Sequence, residues 1–190
     1  PNIRIAASEA LTNLGYSSVV SALLRFAKTG EPTGQASLIK TISLLADANQ
    51  SNKEAFKALG KGSDDFAKRR ATLVEKLMPR MAAAESCIAH KPSPNSCWKE
   101  KLNDSNPIVR VRAALQLGWA GATDFVEELT KAAEDNNSDV RIAAVGALGK
   151  LSGVNVSKLE AIHKAWAKKI EYRNANQELK RLIARLQAKS

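Results

Sequence analysis

The stretch DVRIAAVGALGKLSG, residues 139–153, decides how this chain folds. Arg141 stands between two β-branched residues, Val140 and Ile142. Small residues follow, Leu148 comes seven positions after the arginine, and Ser152–Gly153 closes the run. Apolar residues recurring every three to four positions put one buried stripe on a helix. Asn137 and Ser138 precede the run where a helix needs its first N–H groups satisfied. The same reading applies to NPIVRVRAALQLG at residues 106–118, where Asn106 is the cap and Pro107 takes the first helical position. It applies again to NIRIAASEALTNLG at residues 2–15. Arg4, Arg110 and Arg141 align, as do Leu11, Leu117 and Leu148.

Self-similarity at a fixed period marks repeat architecture. Arg110 and Arg141 are 31 residues apart, and stepping outward places first-helix starts near positions 4, 35, 70, 110, 141 and 173. Gln35 stands where the other units carry arginine. A second apolar-periodic segment follows the first, as SSVVSALLRFAK and DFVEELTKAAED, with Leu23 and Leu129 each 19 residues after their arginine. Gly15, Gly118 and Gly153 fall where first helices should stop, since glycine accepts the left-handed conformation of a helix C-terminus. These features predict an all-α chain of about eleven to thirteen helices in antiparallel pairs.

NPIVRVRAALQLG and DVRIAAVGALGKL resemble HEAT repeats of the short bacterial type also found in phycobilisome lyases. The resemblance implies a right-handed α-solenoid of about six helix-pair repeats, forming one domain over residues 1–190. The long step between Arg70 and Arg110 contains ESCIAHKPSPNSCW, read as an inserted loop at 87–97 with residues 91–96 outside any helix, because Pro92 and Pro94 remove donors. A capping helix is expected at about residues 172–188, where Leu179, Leu182, Ile183 and Leu186 form an inner stripe and Arg181, Arg185 and Lys189 another face. Pro1 aligns with Pro107 and no methionine opens the chain, so it is expected to be a segment of a longer protein.

The 190 residues are 44% hydrophobic and only 5% aromatic, which allows a buried core and leans away from strands. No apolar run approaches the ~20 residues of a membrane span. Cys87 and Cys97 form either a disulfide or two unrelated buried thiols; a bridge would point to a periplasmic or extracellular compartment.

Catalytic constellations are scarce. The two histidines, His90 and His163, belong to no metal-binding motif, and there is no glycine-rich phosphate loop. The paired His-Glu motifs of HEAT-like hydroxylases are missing too. The expectation is a non-catalytic chain with no cofactor and no metal. The aligned Arg4, Arg110 and Arg141 read as structural links, reaching acidic groups or helix-terminal carbonyls near Asp104 and Asp135.

Charge suggests the partner. The chain carries 29 basic and 19 acidic residues, for a net charge of +10. Residues 158–190 hold nine basic and three acidic side chains, and Lys68, Arg69, Arg70, Lys76 and Arg80 form a second basic stretch. Lys68, Arg69, Arg70, Lys168 and Lys169 are therefore candidate partner contacts, with Trp119 at a turn as a candidate anchor. The function expected is a protein-binding scaffold or adaptor that takes a protein or peptide bearing acidic groups, on the face of the second helices. The alternative is a basic nucleic-acid-binding protein.

Overall fold

The computed structural model describes residues 23, 24, 27, 32–45, 50–62, 66–88, 93–169 and 172–188. Arg4 and the helix expected around it lie outside them, as does Lys189. Every regular element among the described residues is helical. The chain forms two compact units, residues 1–90 and 91–190.

In the first unit, α1 (Pro32–Leu45), α2 (Gln50–Ala58) and α3 (Ala67–Ile88) pack around Ile39, Ile42, Phe56, Leu77 and Met81. The long α3 lies on α1 and touches α2. Gln35 and Arg70 stand at the fourth residue of α1 and α3, and they meet: Arg70 Nη1 donates to Gln35 Oε1 at 3.3 Å and its Nε to the Leu59 carbonyl at 3.1 Å. Further along α3, the buried Arg80 donates to Ser43 Oγ at 3.1 Å.

The second unit holds α4 (Pro94–Lys101), α5 (Pro107–Trp119), α6 (Val126–Ala132), α7 (Ser138–Leu148), α8 (Val156–Ala167) and α9 (Arg173–Gln187). A 3₁₀ turn, Thr123–Phe125, leads into α6. The helices stack in a repeating order. α7 lies against both α5 and α9, making a row of first helices, while α4 packs on α5, α6 on α7 and α8 on α9. Leu117, Leu129, Val140, Leu148, Leu159 and Leu179 fill the space between them. Burying a leucine of this kind contributes about 1.5–3 kcal/mol.

Helix starts follow from local chemistry. Asn106 Oδ1 accepts from the Ile108 N–H at 3.0 Å, and Asn137 Oδ1 from those of Asp139 and Val140. Asn155 caps α8 in the same way, through the Lys158 N–H. Two positions before each cap, Asp104 accepts from the Asn106 N–H and Asp135 from the Asn137 N–H.

Three expectations need correction. The loop read over 87–97 is largely helical at both ends, because α3 continues to Ile88 and α4 begins at Pro94. Proline at N1 loses no helical bond, and Ser93 Oγ caps the helix by accepting from the Asn95 N–H. Gly118 does not end its helix, which runs on to Trp119. A Cβ there would lie 2.7 Å from Ala147 Cα, so this glycine lets α5 and α7 approach closely, and Gly121 (φ +63°) makes the left-handed turn instead. Arg173 opens α9, whereas Arg110 and Arg141 each stand fourth in their helices.

Candidate functional site

The repeat arginines sit in equivalent settings. Arg110 Nη1 donates to the carbonyls of Asp104 and Ser105, and Arg141 Nη1 to those of Asp135 and Asn136. Each guanidinium thereby ties its helix to the loop that precedes it. Arg110 also grips the Asp135 carboxylate of the next loop at two points. Burial raises the Asp135 pKa. The hydrogen bonds from Arg110 and the Asn137 N–H, with the charges of Arg110 and Arg141, outweigh burial and hold it below its ordinary 3.8. Arg141 finds an aromatic instead: its guanidinium lies 3.8 Å from the Tyr172 ring centroid. These two arginines are part of the framework. Arg112, unremarked in the sequence, is buried more deeply still, at 1% exposure, with its guanidinium 5.8 Å from the Trp98 ring.

Much of the second unit's surface charge is neutralised. Lys99 pairs with Glu128 at 2.9 Å, and Lys158 with Glu127 at 2.6 Å, joining successive second helices α4, α6 and α8. Hydrogen bonds from these lysines lower the pKa of both glutamates. Exposed pairs of this kind add little stability, but they leave little positive potential there for a partner.

The end of α8 and the start of α9 differ. A cavity of about 330 Å³ opens between them, lined by Lys168, Lys169, Arg173 and Lys180. All four are exposed, and among the described residues none of them makes an ion pair. Arg173, Asn176 or Gln177, and Lys180 follow one another at the spacing of a single helix face. His163 Nδ1 donates to Asn176 Oδ1 at 2.6 Å, so the two helices are joined across the cavity and the Asn176 amide nitrogen is left to donate. Trp166, buried beneath, backs the cavity. The arrangement suits an anionic group.

The other sequence candidates are scattered. Lys68 and Arg69 are exposed near the start of α3, whereas Arg70 beside them is engaged with Gln35 and Leu59. Trp119 ends α5 half-buried, and its indole Nε1 makes no hydrogen bond among the described residues. Cys87 and Cys97 are both disulfide-bonded, and no cysteine is free. No group of three or more His, Cys, Asp or Glu side chains fit for a metal ion occurs among the described residues. No described helix is long and apolar enough to cross a membrane. Sequence reasoning found Lys168 and Lys169 but missed Arg173 and Lys180, whose seven-residue spacing on one helix was the available signal.

No curated protein matches the chain. The family model for HEAT repeats matches residues 98–185, which span α5 to α8 whole, the second half of α4 and most of α9. With their first helices in a row and equivalent arginines on successive first helices, residues 98–185 are similar to HEAT repeats.

Proposed function

We propose that this chain is a non-catalytic scaffold that binds a protein partner carrying acidic groups. HEAT repeats are generally protein-interaction scaffolds, built so that stacked helices offer an extended surface. The observation that carries the reading is the cavity beside Lys168, Lys169, Arg173 and Lys180, with four cations uncommitted to any carboxylate among the described residues. Lys68 and Arg69 on α3 supply a second exposed basic patch. Positive fields of this sort raise encounter rates with acidic partners and discourage basic ones. The chemistry in the cavity suits holding an anion and contains no nucleophile paired with a base.

The test is calorimetric titration of a partner recovered by nuclease-insensitive co-purification. Wild type, K168E/K169E and K68E/R69E are compared at low and physiological ionic strength. The reading expects weaker binding by at least one charge-reversed variant and weakening with salt. Equal affinity in every condition would remove the charge argument. Tight binding of unrelated duplex DNA at physiological salt would establish the nucleic-acid reading in its place.

A further inference from the structure

We propose that the cavity between α8 and α9 is a socket for an acidic peptide segment, holding two of its carboxylates at once. The inference rests on the scaffold reading and names the part of the partner that is recognised. Its cations come from two helices that converge on one hollow. Lys168 and Lys169 lie just past the end of α8, and Arg173 and Lys180 come from the first half of α9. Like charges gathered this closely repel one another, and a bound polyanion relieves that repulsion. Lysines elsewhere in the same unit show the alternative: Lys99 and Lys158 are neutralised by Glu128 and Glu127.

Spacing argues for more than one carboxylate. Arg173 and Lys180 are separated by seven residues of α9, a rise of about 10 Å at 1.5 Å per residue. In a polyproline II peptide, with three residues per turn and a rise of about 3.1 Å each, two residues three positions apart share a face and are separated by about 9 Å. An Asp/Glu-x-x-Asp/Glu segment lying along the helix therefore reaches both cations. Arg173 offers the planar fork that pairs with a carboxylate at two points, while the lysines act as point charges. Asn176 and Gln177 lie between the two cations on the same face and supply amide groups for a peptide backbone. Trp166, only 4% exposed, backs the hollow from within the core. A lone phosphate would satisfy the charge but leave the amides unused.

The experiment uses the full chain and fluorescence anisotropy with labelled peptides. The probes are an extended peptide with two glutamates three residues apart, the same peptide with one glutamate, and its all-glutamine version. The two-glutamate peptide should bind one-to-one, at least about tenfold more tightly than the one-glutamate peptide, and the glutamine version should not bind. R173Q/K180Q should weaken binding about tenfold or more, whereas K131Q, an exposed lysine on α6, should leave it unchanged. Thermal melts of both variants should match wild type, which separates lost binding from lost fold. Equal binding of the one- and two-glutamate peptides overturns the proposal, as does unchanged binding by R173Q/K180Q. Displacement of the peptide by stoichiometric inorganic phosphate or duplex DNA overturns it in favour of a phosphate site. A partner retained equally by wild type and R173Q/K180Q sinks the socket and spares the scaffold reading. A chain that captures no protein at all sinks the scaffold reading itself.

Discussion

Arg110 holds Asp135 at two points, Nε to Oδ2 and Nη2 to Oδ1, both at 2.8 Å. The arginine belongs to α5 and the carboxylate to the loop that opens the next repeat, so the pair joins successive units. The same carboxylate accepts the Asn137 N–H, which orders the cap of α7. One aspartate thus couples the start of one helix to the flank of another. Replacing either partner leaves the other's charge partly buried with fewer partners, a cost of about 1.5–3 kcal/mol for charged hydrogen bonds. Arg110→Ala and Asp135→Ala should each lower the melting temperature clearly more than Lys131→Ala. A double-mutant cycle should return a coupling energy of about 1 kcal/mol or more. Additive losses would show that the two side chains act independently.

The pair also fixes a pH dependence. The folded-state pKa of Asp135 lies below its ordinary 3.8, so the unfolded chain binds the proton more readily. Its contribution is therefore fully present above the unfolded value and is lost as pH falls through the folded one. Denaturant midpoints should show this component unchanged from pH 7 to about 5 and eroding below about 4. Asp135→Asn should be less stable at neutral pH, and its difference from wild type should shrink as pH drops. A difference independent of pH would mean the carboxylate's charge is not what Arg110 holds.

Two helical glycines should respond in opposite directions to alanine. At Gly118 a methyl would stand 2.7 Å from the Cα of Ala147, which is backbone and cannot turn aside. Gly118→Ala should force α5 and α7 apart and cost about 1–3 kcal/mol. At Gly146, exposed on α7, a methyl meets nothing within 4 Å. Gly146→Ala should stabilise by about 0.5–1 kcal/mol through lost freedom in the unfolded chain. Thermal melts of the two variants on opposite sides of wild type are the expected result, and shifts of the same sign would contradict the contact.

Helix boundaries were legible because their causes are local. Asn106–Pro107 and Asn137–Ser138 carry cap and first-turn chemistry within two residues, and the fourth-residue positions of Arg110 and Arg141 follow from it. Reading Asp104 and Asp135 as the arginines' surroundings also needed only the repeat period. The basic run Lys68-Arg69-Arg70 misled because successive helical residues point about 100° apart. Two of its members face solvent, and the third turns inward to Gln35. Arg112 was invisible because its burial depends on where Trp98 of α4 lies, which no spacing within α5 reveals. The cavity was half legible. Lys168 and Lys169 stood out as a pair, but Arg173 and Lys180 join them only once α9 folds back on α8.

The cysteines give a direct chemical check. With both disulfide-bonded, thiol titration of the unreduced, unfolded chain should find no free thiol, and titration after reduction should find both. The bridge closes a short loop, so Cys87→Ser with Cys97→Ser should lower stability by up to about 3 kcal/mol. Two reactive thiols before reduction would contradict the bond and remove any argument for an oxidising compartment.

Arg141 shows how the arginine series changes at the last helix. Its predecessor Arg110 meets an aspartate 25 residues on, but the residue 25 after Arg141 is Trp166. The guanidinium lies 6.0 Å from the Trp166 ring centroid and 3.8 Å from that of Tyr172, and the two rings are 5.5 Å apart. A ring face attracts a guanidinium through its quadrupole, by about 2 kcal/mol or more where water is excluded. Arg141 is only 2% exposed, so that condition holds. The attraction depends on the ring and not on the phenol oxygen. Tyr172→Phe should therefore melt close to wild type, whereas Tyr172→Ala should lose about 1–2 kcal/mol of stability. Arg141→Ala should cost more than Tyr172→Ala, because the carbonyls of Asp135 and Asn136 also lose their donor. Combining Arg141→Ala with Tyr172→Ala should cost less than the sum of the two, since each removes the same contact. If Tyr172→Phe were as damaging as Tyr172→Ala, the hydroxyl and not the ring face would be holding the last helix in place.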